Sequence, residues 1–183
     1  MAELIEYARG APGKVRIGNS GTGSHTHFSA SALFATAQAK ATDVPFGEGQ
    51  AVVNLLGGRI EGVVQLPAAL VAHVKNGDLR VLAMLGSQRH PIFPGVPTAR
   101  ELGYPVSLDM WRGIAVPKGT PAPVIGKLQD VVERTVHSQP FKEAGKAIGF
   151  TPAYLPAAEF GRLIASDDEK LAQLMSDLGM KKQ

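Results

Sequence analysis

The run Gly18-Asn19-Ser20-Gly21-Thr22-Gly23-Ser24-His25-Thr26-His27 gathers the residue types that hold an anion. Its glycines let the backbone approach a ligand, its hydroxyls add donors, and N–H groups at the start of a following helix complete the set. A carboxylate or phosphate is the natural guest, and a tight Gly-rich turn with a capping Ser is the bland alternative. The spacing excludes the better-known loops. No Lys follows Gly23, as a Walker loop requires, and Thr26 stands where the dinucleotide pattern needs its third glycine. A nucleophile elbow needs Gly-x-Ser-x-Gly, and Gly18-Asn19-Ser20-Gly21-Thr22 lacks the last glycine. His27 as a base beside Ser20 or Ser24 leaves a small α/β hydrolytic enzyme as the alternative reading, with no third, orienting residue to name. His25 and His27, at i and i+2, do not share a helix face. With no Cys in the chain and no acidic residue close by in sequence, no metal site and no cofactor are expected.

Two further segments have the same character. Phe46-Gly47-Glu48-Gly49 follows a second apolar run and precedes a helix. Its bare backbone at Phe46 and Gly47 would flank the same site, with Glu48 solvated. Gln65 interrupts a third apolar run, either to donate to a carboxylate or to satisfy a neighbouring turn. Trp111 reads as core rather than as a stacking platform.

The elements that must position these loops alternate. Strands are expected at 14–18, 42–46, 60–64, 79–85 and 111–116. Helices are expected at 25–40, with Phe28, Ala32, Ala35 and Ala39 on one stripe, at 50–56, ended by Gly57-Gly58, and at 67–74. Between the last two strands, a Pro-rich stretch at 86–110 carries a short helix at 98–102. This alternation is the signature of βαβ units and a mostly parallel sheet. Val81-Leu82-Ala83-Met84-Leu85 suits a strand buried on both faces. Three helices follow. Thr120 can cap the first and Pro121 suits its first turn, and Val124, Ile125, Leu128, Val131, Val132 and Val136 give it a 3.6 period. The second spans 140–148. The third opens at Pro156 with Phe160, Leu163, Ile164, Leu171, Leu174, Met175 and Leu178 on one face. Those faces exceed what a four- or five-stranded sheet can cover. They pack together, cover something outside this chain, or self-associate as a dimer, even by exchanging helices.

Composition sets the bounds. A chain of 183 residues, 44% hydrophobic and 19% charged, is one domain or one and a part, and is not disordered. Its 19 Lys and Arg exceed its 16 Asp and Glu by three, are scattered, and form no run longer than Lys181-Lys182. No nucleic-acid surface is expected. The longest apolar stretch, 62–74, is too short and interrupted to span a bilayer. Met1-Ala2-Glu3-Leu4-Ile5-Glu6 has neither the basic nor the apolar region of an export signal.

Taken in order, these segments resemble the substrate-binding proteins of tripartite tricarboxylate transporters, the Bug-type periplasmic receptors. The matching residues are Gly18-Asn19-Ser20-Gly21-Thr22-Gly23-Ser24 with His27; Val44-Pro45-Phe46-Gly47; Leu55-Leu56-Gly57-Gly58-Arg59-Ile60-Glu61; Lys75-Asn76-Gly77-Asp78-Leu79-Arg80-Val81-Leu82-Ala83; Val96-Pro97-Thr98 with Glu101-Leu102-Gly103-Tyr104-Pro105; and Trp111-Arg112-Gly113 with Val116-Pro117-Lys118-Gly119-Thr120-Pro121. The resemblance covers about 4–178. It implies an α/β fold of the type II periplasmic-binding-protein kind, two lobes closing on a ligand by hinge motion, and a small carboxylate bound without chemistry by strand-end loops. It also implies a periplasmic location and membrane permease subunits as partners. In this frame 10–112 is the second ligand-binding lobe, and 113–183 are helices that return to a first lobe whose opening strands and export signal this sequence does not contain. Ser20, Gly21, Thr22, Gly23, Ser24, His27, Phe46, Gly47 and Gln65 are the expected ligand-binding residues. Around Phe46-Gly47 and Gln65 the chain is shorter than the family's usual pattern.

Overall fold

The computed structural model describes residues 1–47, 49–177 and 179, and ten elements lie among them. They are α1 (Ala2–Gly10), β1 (Arg16–Asn19), α2 (His25–Thr36), β2 (Thr42–Pro45), α3 (Gln50–Leu56), β3 (Gly62–Val63), α4 (Pro67–Lys75), α5 (Ala122–His137), α6 (Gln139–Ile148) and α7 (Ala157–Asp177). The α/β reading holds, with a parallel sheet of order β2-β1-β3. The register pairs Ile17 with Asp43 on one side and with Gly62 on the other.

Successive residues of β1 face opposite sides of the sheet. Ile17 packs with Ala30 and Phe34 of α2. A Cβ at Gly18 would lie 3.3 Å from the Ala51 methyl of α3 and 2.7 Å from Ile60 Cδ1. The two helices therefore cover opposite faces, as right-handed crossovers running in opposite directions require. The core of this layer is Ile5, Ala8, Val15, Ile17, Ala30, Phe34 and Ala37. Helix α1, not anticipated from the sequence, supplies the fully buried Ile5 and Ala8. Its Arg9 donates from Nε and Nη2 to the Ala37 carbonyl at 2.9 and 2.6 Å, a cation at the C-terminus of α2.

Several boundaries differ from expectation for identifiable reasons. Helix α2 stops at Thr36, not 40, because Gln38 turns left-handed at φ 49°. The amide of Ala39 then donates back to the Phe34 carbonyl at 2.9 Å, closing a Schellman turn. Ala35 is exposed, while Phe28, Ala32 and Leu33 are buried. The left-handed residue after α3 is Gly58, at φ 66°, and Gly57 is not. The expected strand at 79–85 is absent. Met84 forms an isolated bridge, its amide donating to the Pro97 carbonyl at 2.8 Å and its carbonyl accepting from Ala99 at 2.7 Å. The Leu85 carbonyl accepts a single bond from the Leu108 amide at 2.8 Å, and Val81–Leu85 are half-buried rather than enclosed on both faces. The helix expected at 98–102 is a single turn. It opens with a capping box in which the Glu101 amide donates to Thr98 Oγ1 at 3.1 Å and the Thr98 amide to Glu101 Oε2 at 2.7 Å. The stretch 111–116 belongs to no strand, and Ile114 is 72% exposed. The sheet among the described residues thus has three strands, not four or five.

Arg16 on β1 binds the Glu61 carboxylate through Nε at 3.0 Å and Nη2 at 2.5 Å, and its amide adds a bond at 2.7 Å. The Arg16 side chain is the largest cause holding the Glu61 carboxyl down at about 2. A depressed folded-state value contributes stability above the ordinary carboxyl range, about 4.3, and that contribution is lost as pH falls towards 2. The melting temperature of Glu61→Gln should therefore lie below that of the native chain at neutral pH and converge with it between about pH 4 and 2. Both side chains are more than a third exposed, so salt should narrow the gap. A constant gap down to pH 2 would mean that the pair does not govern this edge.

The chain divides into two compact units, Met1–Met110 and Trp111–Gln183. In the second, Pro121 rather than Thr120 is the N-cap of α5, and the Thr120 hydroxyl instead donates to the Pro117 carbonyl at 2.8 Å. Trp111 is not core: it is 40% exposed, stands edge-on to Phe160 with ring centroids 4.9 Å apart, and donates its indole N–H to Asp167 Oδ2 at 2.8 Å. Helices α5 and α7 bury no residue fully. Val124, Leu128 and Val131 stay exposed and, with Pro123 and Lys127, line an open groove of about 410 Å³. Leu178, expected on the apolar face of the last helix, lies outside the described residues, as does Glu48.

Candidate functional site

Because the strands are parallel, the loops after β1, β2 and β3 emerge at one edge of the sheet. The connection from β1 leads to β2, while β3 lies on the other flank of β1. The carboxyl ends of β1 and β3 are therefore where chain direction divides, the usual ligand position in such sheets. Ser20, after β1, and Gln65, after β3, meet there: Gln65 Nε2 donates to Ser20 Oγ at 3.0 Å. The other end of the Gln65 amide accepts from the Leu66 N–H at 3.2 Å.

The loop between β1 and α2 is held largely by its own side chains. The Ser20 amide donates to Thr26 Oγ1 at 2.9 Å, the Gly21 amide to Asn19 Oδ1 at 2.9 Å, and the Gly23 amide to His27 Nδ1 at 3.1 Å. Ser24 is the N-cap of α2, its Oγ accepting from the His27 amide at 3.2 Å and lying 3.0 Å from Thr26 Oγ1. Among the described residues nothing accepts from the amides of Thr22 and Thr26. Thr22 and Gly23 are exposed, and Ser20, Gly21 and Ser24 are half-buried. Gly21 and Gly23 adopt φ 109° and 80°, a region that side-chain-bearing residues avoid.

Beneath the loop, Asn19 is fully buried and donates from Nδ2 to Asp43 Oδ1 on β2. The other oxygen, Asp43 Oδ2, is 3.5 Å from His27 Nε2. Since His27 Nδ1 accepts from Gly23, the ring proton sits on Nε2, facing Asp43. Burial raises the Asp43 carboxyl above its usual range, opposed by His27 and by the Asn19 hydrogen bond. With Nδ1 accepting from Gly23 and Nε2 turned to Asp43, His27 is not poised to deprotonate Ser20 or Ser24, so the geometry does not favour the hydrolytic alternative.

Of the residues singled out in the sequence, Ser20, Gly21, Gly23, Ser24, His27 and Gln65 thus form one hydrogen-bonded cluster, with Thr22 at its exposed tip. Phe46 lies under it: its amide donates to the Asn19 carbonyl at 3.1 Å, and its ring packs where a Cβ at Gly18 would fall. Gly47 serves the turn into α3, accepting from the Gln50 amide at 3.3 Å, and no hydrogen bond among the described residues joins it to the loop. Asp43 carries no expectation from the sequence, and Asn19 and Thr26 carry one only as members of the Gly18–His27 run, with no bracing role. The available signals were a charged residue inside the short strand β2 and an Asn at the very end of β1.

Comparison with known proteins places this architecture. Residues 1–180 match the family described as the tripartite tricarboxylate transporter family receptor. Protein BugT of Bordetella pertussis is 32% identical over 97% of this chain and 55% of its own length. A UPF0065 protein from the gbd 5′ region of Cupriavidus necator is 28% identical over all of this chain and 56% of its own length. The chain spans about half the length of these curated relatives. Among solved structures, a TctC solute-binding protein from Polaromonas, without ligand, superposes with TM-score 0.81 at 32% identity, covering 96% of this chain and 61% of that one. Rpa4515 of R. palustris, determined with adipate, superposes with TM-score 0.85 at 25% identity, covering 98% of this chain and 60% of that one. The chain therefore belongs to the tripartite tricarboxylate transporter receptor family.

Proposed function

We propose that this chain binds a small carboxylate, without transforming it, as part of the solute receptor of a tripartite uptake system. The observation that carries the reading is the hydrogen bond by which Gln65 and Ser20 meet beyond the ends of β1 and β3, next to the exposed residue Thr22. Amide N–H groups, hydroxyls and a carboxamide, with no Lys or Arg among them, suit a delocalised carboxylate held by several moderate donors. The adipate-bound relative supports the ligand class. The receptor works in the periplasm and hands its solute to membrane permease subunits. The exposed stripe of Val124, Leu128 and Val131 is the surface that a first lobe would cover, 10–112 being the second lobe and 113–183 the helices that return to the first.

Isothermal titration calorimetry of the chain against adipate, malate and their dimethyl esters tests this. One of the acids should bind and its ester should not, because esterification removes the charge that the donors recognise. A chain spanning about half the length of its relatives would leave part of the ligand in water, so a dissociation constant of roughly 10⁻⁴ M, about 5.5 kcal/mol, is expected. An ester binding as tightly as its acid would overturn the carboxylate reading.

A further inference from the structure

We infer that Asp43 is the positioning residue of the 20–24 loop, holding the Nε2–H tautomer of His27 and the orientation of the Asn19 amide at once, so that two loop amides are fixed before any ligand arrives. The inference rests on the carboxylate-binding reading above for its consequence, though not for its geometry. The carboxylate stands on β2, opposite Ile17 in the register, and divides its two oxygens. Oδ1 accepts from Asn19 Nδ2, and Oδ2 faces His27 Nε2 at 3.5 Å. Each partner then turns its remaining acceptor to the loop, Asn19 Oδ1 to the Gly21 amide and His27 Nδ1 to the Gly23 amide. One side chain from the neighbouring strand thus determines two bonds on either side of Thr22, whose amide stays unclaimed among the described residues.

The chemistry makes this arrangement sensitive to one atom. An ionised carboxylate accepts at both ends, whereas a carboxamide of the same shape accepts at one end and donates at the other. In Asp43→Asn the side chain can accept from Asn19 or from His27, but not from both. If the Asn19 bond is kept, an NH₂ group faces the His27 N–H, and the clash drives the ring proton to Nδ1. That nitrogen then no longer accepts from Gly23, and the loop loses one of its two braces.

Long-range ¹H–¹⁵N correlation spectra of His27, read with the amide resonances of Gly21 and Gly23, test this in the native chain and in Asp43→Asn. The native ring should carry its proton on Nε2. In Asp43→Asn the ring should shift towards the Nδ1–H form, the Gly23 amide should move and exchange faster, and adipate affinity should fall about tenfold, one good hydrogen bond's worth. Asp43→Glu, which keeps both acceptors, should restore the Nε2–H form at least in part. If Asp43→Asn does not fold, the native spectrum still decides: an Nδ1–H ring there overturns the inference. A ring and Gly23 amide unmoved in folded Asp43→Asn also overturn it. A ring that switches while adipate affinity stays unchanged upholds the positioning role and overturns the placement of the ligand at this loop.

Discussion

Alanine at both Ser20 and Ser24 is expected to weaken binding of a small dicarboxylate by about two orders of magnitude. Each hydroxyl accepts an internal hydrogen bond, Ser20 from Gln65 and Ser24 from the His27 amide. Ser20 keeps its own O–H to give, and Ser24 does so when Thr26 Oγ1 is the donor in their 3.0 Å contact. A hydrogen bond to a charged group contributes about 1.5–3 kcal/mol, and two at the lower end make about 3 kcal/mol, or roughly 100-fold in affinity. Ser24 is also the cap of α2, so the double variant should lose about 1 kcal/mol of stability as well. Calorimetric titration with adipate, run well below the variant's melting transition, separates the two effects. An unchanged dissociation constant would remove the loop from the site and leave the serines as turn-formers.

The second large effect is on folding. Gly18→Val should destabilise the first unit by roughly 3 kcal/mol, the upper end for forcing extra methyl groups into a packed core. Strand propensity alone predicts the opposite sign, since valine favours strands and glycine disfavours them. The decision lies with the neighbours. A Cβ at position 18 would meet Ile60 Cδ1 at 2.7 Å, the Phe46 ring at 3.2 Å and the Ala51 methyl at 3.3 Å. Ile60 could swing aside, but Ala51 is part of α3 and can only move with it. Urea unfolding followed by circular dichroism reads the change, and a midpoint equal to or above the native one would show that the strand and α3 are looser than they stand here.

The order β1–α2–β2–α3–β3–α4 was legible because each of its elements is specified locally. Glycines 57 and 58 end α3, Pro67 opens α4, and the small polar run after β1 opens α2 at Ser24. What was misread depends on partners elsewhere. Val81–Leu85 has the composition of a buried strand, but a strand exists only where a neighbour accepts its ladder, and here the pairing stops at the Met84 bridge and one bond to the Leu85 carbonyl. Trp111–Val116 is the same case. Helix α1 escaped notice because its buried face is only Ile5 and Ala8, set among Glu3, Glu6 and Arg9. At the site, the spacing of Gly21, Gly23 and Ser24 announced a loop able to hold an anion. It could not announce the brace beneath it, because Asp43 and Asn19 are 24 residues apart and meet only through the register of β1 with β2.

The internal bonding of that loop bears on how selectivity arises. A loop that is loose until it meets its guest can reshape itself around several, and surrenders chain entropy each time. With the amides of Ser20, Gly21 and Gly23 already spoken for, this loop has little left to surrender, and few alternative shapes to offer. On the carboxylate-binding reading, discrimination by this loop then rests on geometric fit to a fixed set of donors. Exchanging one carboxylic acid for another should change the enthalpy of association far more than its entropy.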